Sequence, residues 1–451
     1  MSYRIYYLVL RVLSALRYAV AKWFTPAGKL ALAGLISSAI IGLDTNINTA
    51  YQAFTLLAAL FLAAFIGSRF FRPAFTAHRV LPRFGTAGQT LTYQLHIRAT
   101  GGMHVRGLTF HENLQDPRPL FADFRDQAKA GIALGWNWFR GDSYYRYWKQ
   151  LVAANRIADP ISAPLSDLRP GTGIEMRMEI VPLKRGRLQF TSAAISRTDP
   201  FGLLNTYAAI PLMQSMLVLP KRYAIPDISL PGTRAYQHGG VSQSTSVADS
   251  EEFQSLREYR PGDPVRLIHW KSMARVGKPV IKEYQDEFFV RHALVLDTFM
   301  TRELHGVFEE AVSVAASFAC TVQTQESLLD LMFVGAEAYC ETAGRGQGQT
   351  EHLLEVLAGV RACTDKPFSV LHQHVVSRRA SLSGCICILL DWDEPRKKFI
   401  DHLTRLNVPT LVLVLADSTR SPASDLLPGT DRPAWLHVLE TGKVEEGLAR
   451  L

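Results

Sequence analysis

At 451 residues the chain is longer than one hydrophobic core ordinarily serves, so two or three domains are expected. It is 47% hydrophobic, leaving ample apolar surface to bury, and its five cysteines (Cys320, Cys340, Cys363, Cys385 and Cys387) lack framework spacing, which excludes a disulfide scaffold and suits the cytoplasm. The formal net charge of +8 is more than accounted for by Arg4, Arg11, Arg17, Lys22, Lys29, Arg69, Arg72, Arg79 and Arg83, which flank one apolar region with no acid among them, so the excess points to a membrane and away from nucleic acid.

Residues 1 to 29 read as a basic amphipathic helix on a membrane surface. At 100° per residue Arg4, Arg11 and Lys22 share a face with Tyr18 between them, which predicts a helix lying among lipid headgroups. A cleaved signal peptide competes with this reading, but its apolar region would begin only at residue 30, with no small-x-small cleavage site after it. Within 30 to 69 lie two apolar runs, Leu30 to Leu43 and Ala53 to Gly67, separated by Asp44-Thr45-Asn46-Ile47-Asn48. Each is short against the roughly 20 residues that span hydrocarbon, which keeps a re-entrant or buried pair open. With Ala27 and Gly28 extending the first and Tyr51 opening the second, they read as a two-helix transmembrane hairpin. Basic residues at both ends place both termini, and everything after residue 70, on the cytoplasmic side, with the tip near Asn46 outside.

Beyond residue 70 the pattern turns strand-like. Residues 89 to 97 alternate, Gly101-Gly102 punctuates, and the texture resumes at 105 to 110, 174 to 181 and 188 to 195, the last after the turn Lys184-Arg185-Gly186. This predicts an antiparallel β-sandwich over 70 to 230. Residues 115 to 170 interrupt it as an insertion carrying Trp136, Trp138, Tyr144, Tyr145, Tyr147 and Trp148, which reads as a small satellite core or as a membrane or partner surface. A loop with Gly239-Gly240 then opens a charged segment over 231 to 290. From 291 to 451 short apolar strands (292 to 298, 328 to 334, 385 to 391, 409 to 415) alternate with helices (306 to 324, 351 to 362, 395 to 405), and a last strand and helix follow from 435. This predicts an α/β domain with a parallel sheet covered on both faces. Cys385 and Cys387 share one face of a strand and read as buried packing, there being no second Cys or His pair at zinc spacing.

The densest motif lies in the charged segment: Arg257, Tyr259, Gly262, Asp263, Arg266, Ile268, Trp270, Ala274 and Arg275, in the spacing R-x-Y-x-x-G-D-x-x-R-x-I-x-W-x-x-x-A-R. Pro261-Gly262-Asp263 is a tight turn, and Tyr259, Ile268 and Trp270 are its anchors. Seven basic and seven acidic residues between Glu251 and Glu287 balance, which argues against phosphate binding. The segment reads either as an ion-pair network that clamps the loop between sandwich and α/β domain or as a docking surface for a partner.

With Arg185-Gly186 and Asp199-Pro200-Phe201-Gly202-Leu203 upstream, and two N-terminal helices, this set resembles the bacterial domain-of-unknown-function 58 family over nearly the whole chain. The resemblance implies a bacterial inner-membrane protein whose C-terminal domain is similar to a von Willebrand factor type A domain and which works with a MoxR-type AAA+ ATPase. In such domains D-x-S-x-S, with a later Thr and Asp, holds Mg²⁺ through hard oxygen ligands. Here Asp297-Thr298-Phe299-Met300-Thr301 keeps Asp297 and Thr301, puts Phe299 where the first serine stands, and leaves Asp391, with Asp393 nearby, as the distal carboxylate. The resemblance thus implies a degenerate metal site of Asp297, Thr301 and Asp391, and no cofactor is expected.

Signatures of phosphate-binding, zinc-protease and serine-hydrolase sites are absent from the sequence. The stretch from Gly344 to Thr350 reads as a flexible turn with Thr350 as a helix cap, and His372 and His374 are isolated from any acid pair. The expectation is a non-enzymatic membrane adaptor or assembly factor that presents its α/β domain to a MoxR-type ATPase and to other envelope proteins. The alternative is a metal-dependent hydrolase using Asp297 and Asp391.

Overall fold

The alternation near residue 90 becomes the centre of a two-sheet sandwich in the computed structural model, which describes residues 2–42, 48–71, 73–101, 104–125, 141–226, 252–261, 263, 265, 268–285, 290–299, 305–321, 327–344, 347–417 and 433–451. The chain divides into two units, Met1–Lys221 and Arg222–Leu451. In the first, β1 (Phe75–Val80), β3 (Leu91–Ala99) and β6 (Gly173–Ile180) form one antiparallel sheet in the order β1-β3-β6. The other sheet runs β2-β8-β7-β4-β5, from β2 (Phe84–Thr86), β4 (Leu108–Leu114), β5 (Ile161–Leu165), β7 (Gly186–Thr198) and β8 (Asn205–Leu219). Tyr93, Leu95 and Ile97 point inward from β3 while Gln94 and Arg98 face out, and the inward set joins Phe110, Phe190 and Ile195 of the second sheet in one core.

One ion pair sits inside that core. Arg79, which the sequence grouped with the membrane flank, is buried and pairs directly with buried Glu112. Tyr93 donates its hydroxyl to Glu112 at 2.8 Å, Arg79 Nη1 donates to Gln214 Oε1 at 3.0 Å, and the guanidinium lies 4.4 Å from the Phe190 ring centre. Burial pushes the Glu112 carboxyl up from its ordinary value, against the pull of Arg79 and Tyr93.

Helix α1 (Ser2–Trp23) packs on the aromatic insertion. Tyr7, buried, meets Phe121, Phe124 and Trp148, and donates its hydroxyl to Pro119 O at 3.2 Å; Tyr6 stacks on Tyr144 at 4.8 Å. Tyr144 and Trp148 come from α4 (Gly141–Asn155), so the insertion is a satellite core built around α1. Trp136 and Trp138 lie outside the described residues. Three of the basic residues of α1 have aromatic partners in the protein: Arg4 lies 5.6 Å over Phe121, Lys22 lies 4.7 Å over Tyr207, and Arg11 donates to Tyr7 Oη at 3.0 Å.

The 199–204 loop receives the chain as it leaves α1. Asp199 accepts the N–H groups of Phe201, Leu203 and Leu204, and Gly202 takes a positive φ of 73° to close the turn. Thr25 N donates to Leu203 O at 3.0 Å, and Tyr207 donates its hydroxyl to Lys22 O at 2.9 Å. Thr25 also caps α2 (Pro26–Ile41), and a Cβ at Gly28 would meet Leu203 O at 2.0 Å, so only glycine permits this approach. The next helix, α3 (Asn48–Ser68), runs back along α2: Cβ atoms at Gly34 and Gly42 would meet Leu57 and Tyr51, and one at Gly67 would meet Pro200 of the same loop. Of the two expected spans only one meets the length requirement, Thr49–Ser68 with 20 residues; α2 has 16 and falls short, so a multi-pass topology lacks support by length. The tip around Asn46 lies outside the described residues.

In the second unit the sheet order is β13-β12-β11-β14-β15-β16, from β11 (Val290–Leu296), β12 (Ser327–Val334), β13 (Ala338–Ala343), β14 (Gly384–Leu389), β15 (Thr410–Ala416) and β16 (Leu436–Glu440). All neighbours are parallel except β12 with β13, an antiparallel edge strand absent from the sequence reading. The connecting helices are α6 (His305–Thr321), α7 (Gln347–Gly359), α8 (Ser369–Val376) and α9 (Glu394–Arg405), and α10 (Val444–Leu448) comes after the last strand. Thr350 is not a cap, because α7 begins at Gln347. Cys385 and Cys387 share a buried face, as alternation requires, and burial pushes the Cys385 thiol up to about 12.

Removing one partner of the sandwich pair strands the other charge without water. Glu112→Ala is therefore expected to cost about 3–5 kcal/mol of unfolding free energy in urea titration, and an Arg79→Met/Glu112→Leu double variant to cost less. Equal losses in the single and double variants would contradict the pairing.

Candidate functional site

A parallel sheet offers ligands its carboxyl strand ends where the strand order reverses, and here that point lies between β11 and β14. Asp297, immediately after β11, is fully buried there. Its Oδ1 accepts Phe299 N–H at 2.9 Å; its Oδ2 accepts Leu390 N–H at 3.1 Å and Arg396 Nε at 2.6 Å. Arg396 reaches in from the first turn of α9. Its Nη1 donates to Asp393 Oδ2 at 2.7 Å, its Nη2 donates to Phe299 O at 2.9 Å, and its central carbon lies 5.0 Å from the Phe368 ring centre. The planar fork of the guanidinium suits three separate acceptors, one for each nitrogen. Burial pushes the Asp297 carboxyl up from its ordinary value, while Arg396 and the two backbone donors pull it down.

Of the three expected metal ligands, the structure buries Asp297 in the crevice. Asp391 is exposed and accepts Trp392 N–H at 2.7 Å, and Thr301 lies outside the described residues. Phe299 turns its ring into the core against Phe368, 5.6 Å between centres, and gives Arg396 its carbonyl. The residues present do not fit a divalent ion: the Asp297 oxygens already accept directed donors, and a cation would have to displace the guanidinium. Among the described residues no group of three or more His, Cys, Asp and Glu is placed to hold a metal. His372 meets His402 instead, 2.8 Å between ring nitrogens.

Arg396 escaped the sequence reading, although a signal existed. A basic residue in the first turn of a helix opposes the helix dipole, which calls for carboxylates to hold it. Asp393, the N-cap of α9, is one of them: it accepts Arg396 N–H at 3.2 Å as well as the guanidinium.

The charged segment forms its own small structure. Strands β9 (Glu252–Glu258) and β10 (Val280–Gln285) pair antiparallel, and α5 (Trp270–Val276) lies between them in sequence. Asp263 N donates to Arg260 O at 3.0 Å, which is the expected tight turn. Its carboxylate accepts both Arg257 Nη atoms, at 2.7 and 2.8 Å, and Arg260 N at 2.8 Å. Arg257, followed by the Arg260 amide, holds the Asp263 carboxyl at about 2, below the ordinary 3.8. The clamp is therefore local: these bonds pin the turn to its own hairpin and not to the α/β sheet. Ile268 bridges Ile281, and Tyr259 N donates to Pro279 O at 3.0 Å. Gly262 and Arg266 lie outside the described residues. Trp270 does not anchor the segment, being 62% exposed, and Ala274 and Arg275 are exposed with it.

The family described as "Protein of unknown function DUF58" matches residues 255–386, which take in most of this hairpin, strands β11, β12 and β13 and the start of β14. A relative, the uncharacterized protein YeaD of Bacillus subtilis (strain 168), is 28% identical over 196 residues, 43% of this chain and 48% of that protein. The chain thus spans about half the length of that relative. Among solved structures, a CARDB domain from Pyrococcus furiosus shows 10% identity over 32% of this chain and 94% of its own, with a TM-score of 0.17. A β-glucosidase from Listeria innocua shows 11% identity over 32% of this chain and 16% of its own, with a TM-score of 0.16.

Arg396→Ala leaves Asp297 buried and unpaired, so the second unit is expected to lose about 3–5 kcal/mol in urea unfolding, whereas a chelator leaves the Tm of the parent unchanged. For Asp263 the sign is set by its lowered pKa. The stabilisation is complete above the ordinary value and disappears as pH falls from about 4 to about 2. Proteolysis between 252 and 285 should accelerate over that interval in the parent, and Asp263→Ala should be cleaved faster at neutral pH with no such dependence.

Proposed function

We propose that this chain is a non-enzymatic, membrane-anchored adaptor or assembly factor that works with a MoxR-type AAA+ ATPase and presents its second unit to protein partners on the cytoplasmic side of a bacterial inner membrane. The exposed face of α5 carries this reading. At 100° per residue Trp270, Lys271, Ala274 and Arg275 fall within an arc of about 140°, and all four are exposed; on the other side Ser272 and Met273 are half-buried and Val276 is exposed. Trp and Arg are the residues that dominate binding hot spots, and an aromatic beside two cations suits an acidic protein face. The pinned turn at Asp263 supports the same reading, since a preorganised surface loses less entropy on binding.

The anchor is the pair α2 and α3, entering as a hairpin from the cytoplasmic side. Its support is that α2 leaves the 199–204 loop and α3 returns to it, with the cations Arg69 and Arg83 on the soluble side. The order of the six-stranded sheet, with one antiparallel edge, favours a von Willebrand factor type A-like domain. The alternative, a metal-dependent hydrolase using Asp297 and Asp391, gains no support from a crevice filled by Arg396.

The test is capture of the bacterium's own MoxR-type ATPase on the detergent-extracted full chain. Trp270→Ala is expected to weaken capture about tenfold or more, and chelator to leave it unchanged. Capture unaffected by Trp270→Ala would remove α5 as the docking face, and no capture under any nucleotide condition would remove the partnership.

A further inference from the structure

The cradle under α1 leaves the opposite side of that helix bare. Ile5, Leu8, Val12, Leu13, Leu16 and Trp23 are each more than half exposed. At 100° per residue they fall in one arc of about 140°. Arg4 and Lys22 border that arc on one edge and Arg17 on the other, and the helix contains no acid. Apolar side chains on the outside of a helix whose Tyr3, Tyr6 and Tyr7 face the protein invert the arrangement of an ordinary surface helix.

We propose that α1 is an interfacial helix that sinks this stripe into one leaflet of a bilayer containing anionic phospholipid, with the soluble sandwich held beneath it by the aromatic insertion. Continuity favours lipid over a protein occupant. From Trp23 the chain passes through the Thr25 junction straight into α2 and α3, whose Leu30, Ile40, Leu56 and Leu62 are likewise exposed. Charge agrees with this: Arg4, Arg17 and Lys22 lie along the two edges of the arc, held there by Phe121, Tyr145 and Tyr207, which puts fixed positive charge with no acid beside it at the level of anionic headgroups. The mounting makes the geometry rigid, since Tyr7 in the cradle and Lys22 O and Thr25 on the sandwich side hold the helix near both ends. The sequence implied a basic helix lying in the headgroup plane; the proposal keeps that plane and gives the buried side to the apolar stripe.

The inference rests on the membrane anchoring proposed above and not on the ATPase partnership. It is tested with the full chain, Cys320 and Cys340 replaced by Ser, in bilayers of phosphatidylcholine with phosphatidylglycerol. Nitroxide probes go on Val12→Cys, Leu16→Cys, Arg17→Cys and, as the anchor control, Leu62→Cys. Expected is oxygen accessibility with loss of nickel-chelate accessibility at 12, 16 and 62, and the reverse at 17. Lipid contact at 62 with water contact at 12 and 16 overturns the inference while the anchor stands. Water contact at all three overturns both. Spin coupling between copies at 12 and 16 would give the stripe to a second chain, which also overturns it.

Discussion

An arginine placed where a parallel sheet ordinarily meets its ligand constrains everything the second unit can do. Taking Asp297 and Arg396 out of water costs several kcal/mol for each ion. The cost is offset because every polar edge is used: Asp297 accepts from Phe299, Leu390 and Arg396, and Arg396 also reaches Asp393 and the Phe299 carbonyl. The pair joins the end of β11, the end of β14 and the first turn of α9. An internal cation fills that crevice, while the exposed α5 face, the proposed docking surface, carries aromatic and basic groups.

The first unit solves a different problem with the same economy of parts. A buried carboxylate, Asp199, organises a short loop by accepting three backbone amides, and that loop receives Thr25 and the close approach of Gly28. The aromatic insertion gives α1 a second support through Tyr7 and Tyr6. Elements far apart in sequence thus fix the apolar N-terminal helices to the sandwich, which gives those helices a defined direction relative to it.

Periodicity made much of this legible. The alternation from Thr90 to Ile97 and the apolar strands of the second unit lie where expected, and the shared face of Cys385 and Cys387 came from a two-residue period. What escaped depends on distant partners. Arg79 looked like a flanking cation until β1 carried it to Glu112 on β4, and β13 and α8 are short elements without a clean pattern of their own. Trp270 read as an anchor because aromatic residues are usually buried, whereas its place on a seven-residue helix leaves it in solvent. The departure from the metal motif was visible at Phe299; the buried partner of Asp297 was not, because Arg396 lies far along the chain and reaches Asp297 only through the fold.

The proposed docking face is α5 and not the strand ends. Hydrogen exchange of the full chain with and without a captured MoxR-type ATPase reads that contact directly. The account predicts slowed exchange over 268–281, with 297–299 and 390–396 unchanged. Slowed exchange confined to 297–299 and 390–396 would contradict it.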